Sequence, residues 1–308
     1  MLKKLINRLS FLMLTFIMGL TSNTFSQSRE FQVLSYNIKH GFEGDSTTIA
    51  EYIKWINKIN PDIALYQEAN GFNQKKMQEL AKKYGHSYVV VMNQESGHEV
   101  THPLAITSRY PINNTEMFLD SMWHGYIHAR VQGIDLFVTH LAPFTLKDRQ
   151  KDIQRIIEHT KKLPKASKIL VAGDFNSLSR VDAAMYDDVL LTSMRKIEGR
   201  LEPKSGTPIV KNRIIYRNNL NNGQIDYSVT DMMLNAGFID SYYELNKHFK
   251  NSVPAKSYQK KSSKLRRIDF VWVNSNLSNS LLKADIIHDK YTDFMSDHYP
   301  VLITLKKE

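Results

Sequence analysis

The chain repeatedly sets a short apolar run directly against a polar residue able to do chemistry, and this repetition constrains the fold more than any other feature. Ile169-Leu170-Val171-Ala172 is the plainest case. Four apolar residues are too few for a helix and read as a buried strand, and Gly173-Asp174-Phe175-Asn176 follows at once. The arrangement returns in strand 31–38, which carries Asn37, in strand 62–67, which leads into Glu68, and in strand 134–139, followed by His140. Strand 268–273 holds Asp269 near its start, and Asp297-His298 directly precedes strand 299–305. Further strands are expected at 88–92, 103–107, 127–131 and 284–287. Between them, Ile49, Ile53, Ile56 and Ile59 recur at helical spacing until Pro61, a polar helix is expected over 74–84, and Ile153, Ile156, Ile157 and Leu163 mark an amphipathic helix. Strands and helices alternating in this proportion predict a layered α/β sandwich. The polar stretch 200–227, rich in Asn and Lys, gives no assignable pattern.

No Gly/Pro-rich or low-complexity stretch divides the 308 residues, so one α/β catalytic domain is expected over 27–308. The first 26 residues have a different layout: Lys3, Lys4 and Arg8 precede an apolar run from 9 to 20, and the small residues Thr24 and Ser26 follow. That run is shorter than the roughly 20 residues a spanning helix needs. The expectation is a signal peptide cleaved after Ser26, hence an exported protein placed in the periplasm, on the outer surface or in the medium. There is no Cys, which excludes thiolate metal sites and thiol nucleophiles and leaves only oxygen and imidazole ligands for any metal. The three basic residues of the leader account for three of the ten net positive charges, leaving +7 to favour anionic partners.

Polar residues at strand ends are where α/β proteins gather ligands, so these separate segments are expected to meet at one rim. Singly, each has an ordinary structural explanation: Asn37 as a turn residue, Glu68 as a helix cap, His140 as a core imidazole, Asp174 or Asp269 as a hydrogen-bond acceptor. Six segments sharing the pattern argue for a common site. Carboxylates and an amide without Cys suit Mg²⁺ or Mn²⁺. A carboxylate to activate water and two imidazoles to face a phosphate complete what phosphoester hydrolysis requires.

Leu34-Ser35-Tyr36-Asn37, Gln67-Glu68, Ser108-Arg109-Tyr110-Pro111, Thr139-His140-Leu141, Gly173-Asp174-Phe175-Asn176-Ser177, Arg267-Ile268-Asp269-Phe270 and Ser296-Asp297-His298-Tyr299-Pro300 together resemble, in order, the motifs of the endonuclease/exonuclease/phosphatase family. The resemblance spans 31–305. It implies a four-layer α/β sandwich of two packed mixed sheets, as in deoxyribonuclease I, with the site between them at one end. It also implies roles: Glu68 as main metal ligand beside Asn37, Asp297 helping to hold metal or water, and Asp174 as base or orienter of the attacking water, with Asn176 positioning Asp174 and a phosphate oxygen. His298 would contact the scissile phosphate, oriented by Asp269, and His140 would stabilise the transition state or protonate the leaving oxygen. Abasic-site endonucleases similar to exonuclease III carry Tyr where this chain has His140, so the branch looks more like deoxyribonuclease I, the sphingomyelinases and the inositol-phosphate phosphatases. No counterpart of the Glu that orients this His is found, since His102 stands near the matching place, and the partner of His140 is unassigned.

Arg109, Lys264 and Arg266 are the candidate phosphate-binding side chains, the latter two in a basic segment with Lys260, Lys261 and Arg267 before Asp269. Trp55 and Trp272 fall in element patterns and are expected in the core, while Met122-Trp123-His124-Gly125-Tyr126 is a loop suited either to substrate contact or to a hydrophobic plug. Nucleic acid is the favoured substrate. An enzyme of phospholipid or sphingolipid headgroups and a phosphomonoesterase stand as alternatives, and a catalytically dead binding module is disfavoured because no expected position is missing. No protein partner is inferred, and a monomer is expected.

Overall fold

The computed structural model describes residues 30–92, 102–198, 210–211, 214–215, 220–261 and 264–307. The expected leader, 1–26, and the larger part of 200–227 lie outside these residues. The strands, in chain order, are β1 (Glu30–Asn37), β2 (Ile63–Gln67), β3 (Tyr88–Val91), β4 (Ala105–Ser108), β5 (Asn113–Phe118), β6 (Tyr126–Val131), β7 (Ile134–His140) and β8 (Lys168–Asp174), then β9 (Val210–Lys211), β10 (Ile214–Ile215), β11 (Ile239–Asp240), β12 (Asp269–Val273), β13 (Leu281–Ile286) and β14 (Val301–Lys306). One six-stranded sheet runs β13-β14-β1-β2-β4-β3 and the other β11-β12-β8-β7-β6-β5, with β9 and β10 as a separate hairpin.

Both six-stranded sheets are mixed, because β1 lies parallel to β2 and β7 parallel to β8 while the other neighbours are antiparallel. A parallel pair needs a crossover, supplied here by helix Ser46–Ile59 and by helix Leu146–Thr160. The first begins where the Asp45 carboxylate accepts the Thr48 N–H at 2.7 Å and ends where Asn60 turns left-handed. Such a cap contributes about 1 kcal/mol. The second is capped by Thr145, which accepts the Asp148 N–H at 3.2 Å.

Three apolar layers follow from the period-two alternation of the strands. Val33, Ile63, Leu65 and Ile106 of one sheet meet Leu136, Val138, Leu170, Ala172 and Val271 of the other in the central core. The opposite faces carry Leu34, Tyr36 and Tyr66, packed with Trp55, and Phe137, Val171 and Trp272, packed with Ile153 and Ile156. Helix, sheet, sheet, helix is the four-layer α/β sandwich that the sequence predicts, and Trp55 and Trp272 are core residues. The sequence reading does not anticipate β5 or helices Asp188–Ile197, Ser228–Asn235 and Ser241–Asn246. β5 is exposed along its whole length, so it carries no apolar alternation to detect.

Candidate active site

The alternation that builds the central core also aims the polar residues. Asn37 continues the inward positions of Val33 and Ser35, His140 those of Leu136 and Val138, and Asp174 those of Leu170 and Ala172. Asp269 precedes Val271 and Val273 in the same parity. Register then brings them side by side, since Asp174 pairs with His140 on β7 and with Asp269 on β12. Gly173 makes this approach possible: a Cβ there would stand 1.8 Å from the Thr139 carbonyl oxygen, and its φ of 146° disfavours any side chain. Glu68 is swung to the same rim by a left-handed backbone (φ 55°) directly after β2.

The residues form one hydrogen-bonded constellation. The Asn37 amide donates to Glu68 Oε1 and to Asp174 Oδ2, both at 3.2 Å. His140 Nε2 lies 3.4 Å and His298 Nε2 3.8 Å from Asp174 Oδ2, and His298 Nδ1 is 2.8 Å from Asp269 Oδ2. The Asn176 backbone N–H donates to Asp174 Oδ1 at 2.8 Å, and its side-chain amide donates to the Leu141 carbonyl at 3.0 Å. Ser296 ties the His298 segment to β1 by donating to the Asn37 carbonyl at 2.7 Å, and accepts the His298 N–H at 3.2 Å.

Charge is distributed unequally across this cluster. Burial pushes the Asp174 carboxyl up, but His140, His298 and the Asn176 N–H overcome it and bring it down to about 2. Burial, followed by the Asp174 charge, pushes Asp269 up to about 6 against the pull of His298. Burial disfavours a charged His298, yet Asp269 and Asp174 raise it well above the ordinary imidazole range. His140 is raised in the same way against its burial, by Asp174 and Glu68. For Glu68, burial is outweighed by His140, His298 and the Asn37 amide, so its carboxyl sits below its usual range. The result is an ionised Asp174 between two imidazoles that its charge draws toward their protonated forms.

His140 has surroundings that sequence reading did not assign. Its ring stacks on His124 at 4.4 Å between centroids, His102 stands edge-on to both, and burial with His140 and His102 holds His124 well below the ordinary range. His124 comes from the 122–126 segment, whose Trp123 packs edge-on against Phe144 at 5.1 Å, so this segment and the site are neighbours. Ser252 was also missed. Its hydroxyl accepts the Ile268 and Asp269 N–H groups at 2.9 and 3.1 Å and helps hold the Asp269 carboxylate, and nothing in its local sequence signals that role.

The donor set fits a divalent ion. Glu68 offers carboxylate oxygens to the rim with the Asn37 amide beside it, and His40 and His102 bring ligating atoms within 4.8 Å of it and of each other. The carboxylate and amide oxygens of Glu68 and Asn37 are the ligand type that suits Mg²⁺ or Mn²⁺. Asp297 is half-buried next to His298 and belongs to neither this group nor the Asp174–Asp269–His298 group among the described residues.

The basic candidates separate. Arg109 requires correction as a phosphate ligand: Ser108 pairs with Ile63, the start of β2, whereas Glu68 follows its end. Its guanidinium instead bonds the Pro61 carbonyl at 3.1 Å and the Asn60 side chain. Arg267 is likewise not part of a basic approach, being buried between Asp182 at 2.7 Å and Asp240 at 2.6 Å. Lys264 lies 3.8 Å from Asp187, and Arg266, half-buried, bridges through its backbone to Val253.

The Endonuclease/Exonuclease/phosphatase family model matches residues 34–298, which takes in all eight site positions from Asn37 to His298. The chain belongs to this family. It is therefore a divalent-metal-dependent hydrolase of phosphoester bonds. Among solved structures, an AP endonuclease from Archaeoglobus fulgidus is similar over 89% of this chain and 99% of its own, with 17% identity and a TM-score of 0.62. The 3′-5′ exonuclease NExo from Neisseria meningitidis is similar over 90% and 100%, at 17% identity and a TM-score of 0.61. A single-substitution form of the 3′ phosphatase NExo from Neisseria, bound to a product DNA hairpin, gives 89% and 99%, 16% identity and a TM-score of 0.60. At these identities the likeness is one of fold. No curated protein matches the sequence.

Proposed function

We propose that this family member is an exported, Mg²⁺- or Mn²⁺-dependent phosphodiesterase that hydrolyses nucleic acid. The observation that carries the reading is the placement of an ionised Asp174 between His140 and His298, with His298 backed by Asp269 at 2.8 Å. A phosphate bound among two imidazolium rings meets donors for its non-bridging oxygens, and Asp174 offers an acceptor for the proton of an attacking water. The water oxygen forms the new bond to phosphorus, the bond to the leaving oxygen breaks, and a protonated imidazole is placed to return a proton to that oxygen. Asn176 holds Asp174 in orientation through its backbone N–H. A divalent ion held by Glu68, with Asn37 and Asp297 assisting, would neutralise charge on the phosphoryl group.

Nucleic acid is favoured by the basic balance of the chain and by the similarity in fold to an AP endonuclease and to an enzyme bound to a DNA hairpin. Export rests on the leader, with its basic start, apolar run and small residues at Thr24 and Ser26. The test is a substrate panel with Mg²⁺ or Mn²⁺ across DNA, RNA, sphingomyelin, phospholipids, inositol phosphates and simple phosphate monoesters. Turnover of DNA or RNA well above the rest is expected, and preference for a lipid headgroup or a monoester would replace this reading. Protein recovered from its native host should begin near Gln27, and an intact Met1 form retained in the membrane would remove the export reading.

A further inference from the structure

A second constellation lies outside the active site, where edge strand β5 and its neighbour β6 meet the C-terminal part of helix Leu146–Thr160. Glu116 comes from β5, His128 from β6 and His159 from the helix, with Glu116 and His128 cross-strand partners. Glu116 Oε2 is 3.3 Å from His128 Nδ1 and 3.4 Å from His159 Nε2, and the three potential ligand atoms all lie within 4.8 Å of one another.

We propose that Glu116, His128 and His159 form a second, non-catalytic metal site of the Zn²⁺ class, which staples edge strand β5 to the helix. Metal bonds of about 2.0–2.1 Å in tetrahedral geometry separate neighbouring ligand atoms by roughly 3.3–3.4 Å, the spacing found on both sides of Glu116. Two imidazoles with one carboxylate are a common zinc donor set.

The far side of each ring supports the same assignment. A histidine that binds metal through one nitrogen is normally held at the other by a carboxylate or similar partner. His128 Nε2 lies 3.2 Å from the buried Asp135 carboxylate, and His159 Nδ1 lies 3.1 Å from the Tyr126 hydroxyl. An Nε2–H turned to Asp135 leaves the Nδ1 lone pair facing Glu116, which is what a cation between them requires. Phe137 stacks on His128 at 4.6 Å and Phe118 sits edge-on to His159 at 5.1 Å, so aromatic packing fixes both rings.

Glu116 and His159 also line a cavity of about 680 Å³, bordered by Tyr126, Arg155 and Lys162, which would leave room for a water as fourth ligand. β5 is the element with most to gain, being an exposed edge strand paired, among the described residues, to β6 alone with a register shift between Asn113 and Glu116.

Metal-free protein titrated with Zn²⁺, and with Co²⁺ for its visible absorption, tests the site in native protein, in a Glu116→Gln/His159→Gln variant and in Glu68→Gln. The expected result is that the double variant loses one bound equivalent that both native protein and Glu68→Gln retain. Zn²⁺ should slow amide exchange in β5 in those two proteins and not in the double variant. Asp135→Asn should weaken this equivalent by about 10–100-fold, as loss of an outer partner does elsewhere. Equal stoichiometry and equal β5 exchange in native protein and the double variant would overturn the proposal. Both replaced side chains reach solvent, Glu116 with more than half its surface exposed, so the variant is expected to fold, and circular dichroism checks that it does.

Discussion

His298 and Asp269, 29 residues apart in sequence, face each other at 2.8 Å with both side chains buried, and β12 and the segment before β14 are held together around that contact. Against burial, the carboxylates of Asp269 and then Asp174 hold this imidazole well above its ordinary range. Asp269→Asn keeps the shape and loses the charge. Turnover is expected to fall by roughly 10²–10³, less than the about 10⁴ of the corresponding change in the serine-protease triad, because a bound metal still stabilises charge. Thermal unfolding should move by only a few degrees. Native-like turnover, or a protein that no longer folds, would return Asp269 to a purely structural role.

Glu68 is the carboxylate best placed to hold the ion, so Glu68→Gln should raise the Mg²⁺ concentration needed for half-maximal activity, with partial rescue at high Mg²⁺. Excess chelator should abolish activity of the native enzyme. A Glu68→Gln enzyme with unchanged metal dependence would place the ion elsewhere.

Two arginines of the sequence motifs serve the fold rather than the reaction. Arg109→Ala is expected to leave turnover within about twofold of native while lowering stability by about 0.5–2 kcal/mol through the lost bonds to Pro61 and Asn60. Arg267→Ala strands the buried carboxylates of Asp182 and Asp240 and should cost about 3–5 kcal/mol. Denaturant unfolding of both variants, beside their turnover, measures the split. A large fall in turnover for a stably folded Arg109→Ala would bring that residue back to the substrate.

Asp152 gives the fold a pH dependence of its own. Burial, followed by Asp148, pushes its carboxyl up to about 7 from an ordinary value of 3.8, and its Oδ2 is buried with no hydrogen-bond partner. The folded chain thus holds this proton after the unfolded chain has released it. Stability from this group is present below about pH 4 and is lost as pH rises to about 7, on the order of 2–4 kcal/mol. Asp152→Asn removes the titration, so the melting temperature of the variant relative to native should climb between pH 5 and pH 8. A difference that is flat with pH would show that Asp152 does not titrate in this window.

Much of this was legible in the linear chain because strand chemistry is local. A run such as Ile169 to Ala172 declares a buried strand by composition alone, and the period of two then dictates that Asp174 shares a face with Leu170 and Ala172. The order of the motifs carried the family. What the linear chain could not decide depends on neighbours distant in sequence. Arg109 stood in a family motif, yet the antiparallel register of β4 on β2 carried it away from Glu68. Arg267 sat in a basic run, and only folding closed Asp182 and Asp240 around it. His124 against His140, Ser252 beneath Asp269, and the meeting of Glu116, His128 and His159 arise from packing between elements. Alternation sets which face a side chain takes, whereas register and layer packing set what it meets there, and those depend on the whole chain at once.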